Sequence, residues 1–211
     1  NDDGIHAPGL KVLEHVAAGL AHEVWTVAPE VNHSGAGHSL PIKRPLRCHE
    51  VSDRRYAVDG TPTDCVLLAL QWLVPGPVDL VLSGVNRGGN LGEDVTYSGT
   101  VAAAMEAALL GLPSIALSLN RRGDHDFRWQ TPKAHAARVI RQICAAGFGP
   151  DTLVNVNFPD VEPDQVRGVR VVRQGRRDVQ TEVVEGKDPG GRPYVWIGDY
   201  MRDDGMSADT D

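Results

Sequence analysis

Apolar residues recur at helical spacing near the start of the chain: Leu10, Val12, Leu13, Val16, Ala17 and Leu20. Pro8 suits a first turn and Gly19 an end, so a helix is predicted between them. EVWTVA, Glu23 to Ala28, reads as a strand closed by Pro29. Strand-like segments follow near Leu40 to Arg47 and at Arg55 to Val58. Gly60-Thr61-Pro62-Thr63-Asp64 predicts a helix start. Thr61 can cap, Pro62 fits the first position, and Asp64 meets the positive end of the dipole. That helix is expected to reach about Leu73.

Asp79 to Leu82 predicts a short buried strand, and Ser83 to Tyr97 a long polar loop. Ser98-Gly99-Thr100 opens a small-residue helix, Val101 to Leu110, ended by Gly111 and Pro113. Ser114 to Ser118 is a buried strand, and Asn120 to Gln130 a charged surface loop. Thr131-Pro132 starts a helix with Ala137, Ile140, Ile143 and Cys144 on one face, and Leu153 to Asn157 is a strand. This alternation predicts an α/β fold with a mostly parallel, doubly wound sheet. The order helix, strand, loop also predicts a strand ahead of Asn1.

After Asp160 the pattern changes. Val169 to Val172, Val179 to Val184 and Tyr194 to Ile197 read as strands without helices between them. Asp188-Pro189-Gly190-Gly191-Arg192-Pro193 is a turn, so the last two strands form a hairpin arm. Its apolar side chains exceed what one subunit buries, which predicts an intersubunit contact. The chain therefore reads as one α/β domain over residues 1–211, with a core to about 175 and an oligomerisation arm at about 176–200.

Composition narrows the function. A net charge of −7 without a basic patch makes long nucleic acid a poor partner. No apolar run approaches the roughly 18 residues of a membrane span. Cys48, Cys65 and Cys144 are odd in number and far apart, which argues against a disulfide framework or zinc site and for a reducing, cytoplasmic compartment.

The candidate chemistry lies in three loops. Asp2-Asp3 pairs two carboxylates before a glycine turn. The second loop runs from Val31 to Ser39 and carries Ser34 and His38. The third holds Asn86 and Asn90 among glycines, ahead of Ser98, Gly99 and Thr100. Loops at the carboxyl ends of strands line the crevice of an open α/β sheet, so these three are expected to converge. They offer oxygen ligands, which suit hard cations. Glycines and a helix start present N–H groups to a phosphate, although Ser98 and Thr100 are also ordinary helix caps. His38 reads as an acid, a base, a phosphate contact or a structural histidine. There is no G-x-x-x-x-G-K-[ST], no G-x-G-x-x-G after the first strand and no G-x-S-x-G elbow.

Taken together, the motifs resemble the SurE family, the survival-protein 5′/3′-nucleotidases. They are N-D-D-G-I from Asn1, S-G-A-G-H-S from Ser34, G-T-P-T-D-C-V from Gly60, S-G-V-N-R-G-G-N-L-G from Ser83 and Y-S-G-T-V-A-A-A from Tyr97. Val154 to Pro159 fits as well. The resemblance implies a metal-dependent phosphatase for nucleoside 5′- and 3′-monophosphates, with short polyphosphate as a further substrate. It implies one divalent ion per subunit, Mg²⁺ or Mn²⁺ with Ca²⁺ as a crystal substitute, held by Asp2, Asp3, Ser34 and Asn86. Phosphate contacts fall on Asn90, Ser98, Gly99 and Thr100, and Asp2 or Asp3 is expected to serve as base or nucleophile. A Rossmann-like core, and a homodimer or homotetramer formed through the hairpin, are also implied. The family's pattern further places a strand before Asn1 and a segment beyond Thr210-Asp211. Two other readings fit the same residues: a nucleotide or metal sensor that does not turn over, and a calcium-stabilised structural domain.

Overall fold

The computed structural model describes residues 1–149, 151–176, 180–201 and 210–211, with no side-chain description for 180–182 and 198–201. These residues fall into two compact units, Asn1–Asn90 with Asp94–Val169, and Leu91–Glu93 with Arg170–Asp211.

The first unit is built on two three-stranded sheets. In one, β1 (Thr26–Pro29) runs parallel to β3 (Arg55–Val58), and β2 (Cys48–Ser52) lies antiparallel on the far side of β3. In the other, β4 (Val81–Arg87), β5 (Ser114–Leu119) and β6 (Leu153–Phe158) are parallel and in sequence order. β5 is buried at all six positions, as a central strand covered on both faces must be. Helix α1 (Pro8–Ala18) and helix α5 (Gln130–Ala146) cover one face, packing Leu13, Val16, Val139 and Ile140 onto Ile115 and Leu117. Helix α2 (Pro62–Leu68) and helix α4 (Gly99–Leu109) cover the other, through Val66, Ala103 and Ala107 in one cluster and Val101, Ala104 and Ala116 in a second. The result is a three-layer α/β core, in agreement with the alternation in the sequence.

Local chemistry explains where the elements begin. Thr61 and Asp64 form a reciprocal capping box at α2, with Pro62 in its first turn. The continuation to Leu73 takes a π-type turn, Ala69–Leu73. The short helix α3 (Asp94–Tyr97) precedes α4, and Ser98 caps α4 by accepting from the Val101 N–H at 3.1 Å.

Several sequence expectations are corrected. The strand expected from Glu23 to Ala28 begins only at Thr26 and takes in Pro29. The segment near Leu40 to Arg47 is irregular, and the pairing strand is β2 just beyond it. Cys144 is exposed; the buried face of α5 runs through Ala136, Val139 and Ile140. The loop expected from Ser83 begins instead after Arg87, because Asn86 and Arg87 still pair with Ser118 and Leu119. The register slips between Ser83 and Asn86, where Gly84 adopts φ +139° and a Cβ would lie 2.3 Å from the Leu117 carbonyl oxygen. A bulge of this kind bends a strand and re-aims the residues after it, here Asn86.

The second unit holds the hairpin β7 (Gln180–Lys187) and β8 (Pro193–Met201), paired antiparallel across the predicted turn. Val169 to Val172 does not form the expected strand: it is irregular and exposed, with Val171 96% accessible. Val179, the predicted first residue of the arm, lies outside the described residues. Gly92, Gln174 and Gly175 gather around Asp211, which accepts from the Gly92 and Gly175 N–H groups, while Gln174 donates to the Gly92 carbonyl.

Candidate active site

Asn1–Ile5 is tied to the ends of two strands. The Ile5 N–H donates to the Pro29 carbonyl at the end of β1, at 2.8 Å, and the His33 N–H donates to the Asp2 carbonyl at 2.8 Å. The Asp3 Oδ2 accepts from the Arg87 N–H at the end of β4, at 3.0 Å. The turn is shaped internally by the Asn1 side chain, whose Oδ1 accepts from the Asp3 N–H at 2.8 Å. The first and third loops therefore meet at the carboxyl ends of the strands, and the Ser34 loop joins them through His33.

Asp2 is buried, and its Oδ1 accepts from the buried Thr100 hydroxyl at 2.8 Å. Asp3 is half-buried. Burial pushes the Asp3 carboxyl above its ordinary pKa; the Arg87 N–H pulls it back, and the adjacent Asp2 carboxylate adds to the rise. Folded Asp3 thus holds its proton more tightly than it does in the unfolded chain. Its contribution to stability falls as pH rises from the ordinary carboxyl value through the raised folded one.

The start of α4 abuts this pair. A Cβ on Gly99 would lie 2.8 Å from the Asp2 Cβ and 3.0 Å from the Pro62 Cγ, so only glycine lets the helix approach so closely. The first N–H groups of a helix lack acceptors within it. Ser98 Oγ takes that of Val101 and keeps its own proton to donate. The N–H groups of Gly99 and Thr100 remain without a partner inside the helix. Thr100 is placed differently from a simple phosphate contact: its side chain fixes Asp2, and only its backbone is left for an anion.

Asn90 is buried and held on every side. Its N–H donates to Asn157 Oδ1 at 2.9 Å, its carbonyl accepts from Asn155 and Asn157, and its side chain meets Ser118 Oγ at 2.7 Å. The Asn90 Nδ2 donates to Ser118 Oγ. Among the described residues Asn90 makes no hydrogen bond to Asp2 or Asp3, and neither does the side chain of Ser34. Ser34 is exposed, with its N–H on Asn32 Oδ1 at 2.6 Å.

Sequence reasoning missed several supports. Arg87 supplies the N–H that holds Asp3. Asn155 and Asn157 cradle Asn90, and their i, i+2 spacing on a strand was a usable signal that both face one way. His38 Nε2 lies 2.7 Å from Oε2 of the buried Glu106 on α4. With the Gly37 N–H on the Tyr97 carbonyl at 3.0 Å, this fastens the Ser34 loop to α4. Glu106 is seven residues beyond Gly99, about 10 Å along the helix, so this fastening acts on the body of α4 and not on its first turn. We expect Glu106→Ala to lower stability by about 1–3 kcal/mol in urea denaturation, the scale of stranding one buried partner.

The residues fit a hard divalent cation. Asp2 Oδ2 and Asp3 Oδ1 take no hydrogen bond among the described residues, while the other oxygen of each is fixed. Asn86 donates from Nδ2 to the Gly88 carbonyl at 3.0 Å, which leaves its Oδ1 as the outward group. Two carboxylates this close also carry an ionisation cost that a cation relieves. Among the described residues, no cluster of three or more His, Cys, Asp or Glu side chains could hold a metal. The candidate donors are two carboxylates, a neutral amide and a hydroxyl on the neighbouring loop, a composition suited to Mg²⁺ or Mn²⁺.

A carboxylate pair meets a helix start at the strand ends of a three-layer α/β core. The family described as Survival protein SurE matches residues 1–181, and the chain belongs to it. A Paramagnetospirillum magneticum protein named 5′-nucleotidase SurE is 55% identical over 212 residues, covering 100% of this chain and 82% of its own length. A Rhodospirillum rubrum protein of the same name is 53% identical over 215 residues, with the same two coverages. The crystal structure of the SurE protein from Aquifex aeolicus superposes with a TM-score of 0.84 at 38% identity, covering 100% of this chain and 84% of that one.

Proposed function

We propose that the protein is a divalent-metal-dependent phosphomonoesterase that hydrolyses nucleoside 5′- and 3′-monophosphates to nucleoside and phosphate. The observation that carries this reading is the contact between the α4 start and the carboxylate pair: Thr100 donates to Asp2 at 2.8 Å while Gly99 packs on the same side chain. Cation ligands and anion donors then address one point. Family membership supports the same reading.

Asp2, Asp3, Ser34 and Asn86 hold one divalent ion per subunit, Mg²⁺ or Mn²⁺. When bound, it supplies Lewis-acid polarisation of the phosphoryl group. The Ser98 hydroxyl and the Gly99 and Thr100 N–H groups orient the non-bridging oxygens and meet the charge that develops on them. Asn90, braced by two asparagines, lines the anion site from the β5 and β6 side. Asp2 is a fixed ligand. Asp3 is the more accessible of the two, which makes it the one placed to act as base toward the attacking water or as nucleophile. The three free cysteines suit a reducing cytoplasm. Among the described residues, no helix is long and apolar enough to cross a membrane.

The experiment is a phosphate-release screen over nucleoside monophosphates, sugar phosphates and short polyphosphate, with Mg²⁺, Mn²⁺ or chelator. Release confined to nucleotides and metal supports the reading. Saturable nucleotide binding without release supports a sensor. A melting temperature that rises with Ca²⁺ but not with nucleotide supports a structural domain.

The hairpin supports a homo-oligomer. Val183, Val195, Trp196 and Ile197 are each 60–73% exposed, an apolar surface of the kind that marks an interface. Deleting residues 180–201 is expected to reduce the mass seen by light scattering. An unchanged mass would remove the arm from the interface.

A further inference from the structure

Two arginines converge on one ring beside the candidate centre. The guanidinium carbon of Arg87 lies 5.2 Å from the centroid of Phe127, and that of Arg121 lies 4.9 Å from it. Phe127 stacks on Trp129 with centroids 5.5 Å apart and planes 24° apart. Trp129 is seated at the start of α1, where a Cβ on Gly9 would come within 2.9 Å of the indole. The ledge is therefore anchored to the core.

The loop that carries it is held independently. Arg128 pairs with Asp160 at 2.6 Å and with Glu162 at 2.9 Å, and the Arg122 N–H donates to Asp160 at 2.6 Å. Arg128 is thereby neutralised. Arg87 and Arg121 are not: neither forms an ion pair with the described residues, and Arg121 reaches only the His125 carbonyl at 3.5 Å. Each ring contact is worth about 0.5–1 kcal/mol at an exposed site. The Trp129 stack and the Asp160 network already fix the loop, so two charged forks on one ring are more than anchoring requires.

Position decides what the pair meets. The Arg87 N–H holds Asp3, so its guanidinium branches from the strand end within a side chain's reach of the carboxylate pair. A guanidinium fork matches a phosphate in two-point contact. That reach suits a phosphate across a ribose better than the next phosphate in an anhydride chain.

We propose that Arg87, Arg121 and the Phe127 ledge form a second anion subsite that takes the non-reacting phosphate of a nucleoside 3′,5′-bisphosphate, making such bisphosphates preferred over monophosphates. The proposal rests on the phosphatase reading of the Asp2–Asp3 centre. The chemistry is the same hydrolysis: water enters at one phosphorus, the ester oxygen leaves with a proton, and the other phosphate stays on the sugar.

The test is steady-state phosphate release by the full chain from a nucleoside 3′,5′-bisphosphate, the 5′-monophosphate and the 5′-diphosphate. Wild type, Arg121→Gln and Arg121→Lys are compared. The wild-type KM for the bisphosphate should lie about 10-fold or more below that for the monophosphate, the scale of one charge-assisted phosphate contact. Arg121→Gln should erase that difference with kcat unchanged and the monophosphate KM unmoved, and Arg121→Lys should restore part of it. Equal wild-type KM values, or equal losses on both substrates in Arg121→Gln, overturn the subsite. A gain for the diphosphate matching that for the bisphosphate overturns the assignment to a sugar phosphate. If no substrate releases phosphate, the phosphatase reading fails. Calorimetric binding of bisphosphate against monophosphate then still decides the subsite.

Discussion

Gly99→Ala is expected to lower phosphate release by about 100-fold or more, with only a moderate loss of stability. The added methyl would lie 2.8 Å from the Asp2 Cβ, 3.2 Å from its Oδ2 and 3.0 Å from the Pro62 Cγ. None of these neighbours yields easily. Asp2 is pinned by Thr100 and by the His33 N–H on its carbonyl. Pro62 opens a helix closed by a capping box. The helix start and the carboxylate must move apart, and a displacement of about 1 Å at a reacting centre is enough for a loss of about 10²-fold. Overpacking costs about 1–3 kcal/mol, so the variant should still fold. Steady-state kinetics beside a urea titration separates the two effects. Near-normal turnover would mean that α4 does not form the anion site.

Asp3→Asn separates stability from activity. The ionised Asp3 carboxylate is disfavoured where it sits, chiefly by burial. Asparagine keeps an oxygen for the Arg87 N–H but carries no charge. Without divalent ion at neutral pH, the variant should therefore melt at a higher temperature than wild type. The wild-type loss of stability from acidic to neutral pH should also be smaller in the variant. Activity should fall by about 10²–10³-fold, the scale seen when one preorganised charge-stabilising group is lost. Stability gained where function is lost is the expected signature of a strained active-site residue.

The sequence carried most of the core because its signals are local. Pro8, the Thr61–Asp64 box and Ser98 mark helix starts by hydrogen-bond chemistry that acts within a few residues. The run of small and apolar residues from Ser114 to Ser118 marks a strand buried on both faces. The length of β4 was not legible, because Gly84 and the polar Asn86 read as loop while pairing with β5 decides that they are strand. Val169 to Val172 misled in the opposite sense: β-branched residues favour a strand only where a partner strand is present.

The site was legible as a set of residue types and not as geometry. Adjacent carboxylates, glycine-rich loops and a small-residue helix start signalled oxygen ligands and N–H donors. The contact that joins them, Thr100 to Asp2, spans 98 positions and has no local trace. The same holds for Arg87 on Asp3 and for the His38–Glu106 fastener. Each depends on long-range packing that brings strand ends together.

Cation dependence of turnover tests the central claim most directly. Purified protein is assayed for phosphate release from a nucleoside monophosphate as prepared, after chelation, and after Mn²⁺ or Mg²⁺ is returned, with Asp3→Asn measured in parallel. The account predicts loss on chelation, recovery with either ion in wild type, and no recovery in Asp3→Asn. Undiminished release after chelation, or an Asp3→Asn variant that recovers as fully as wild type, would contradict it.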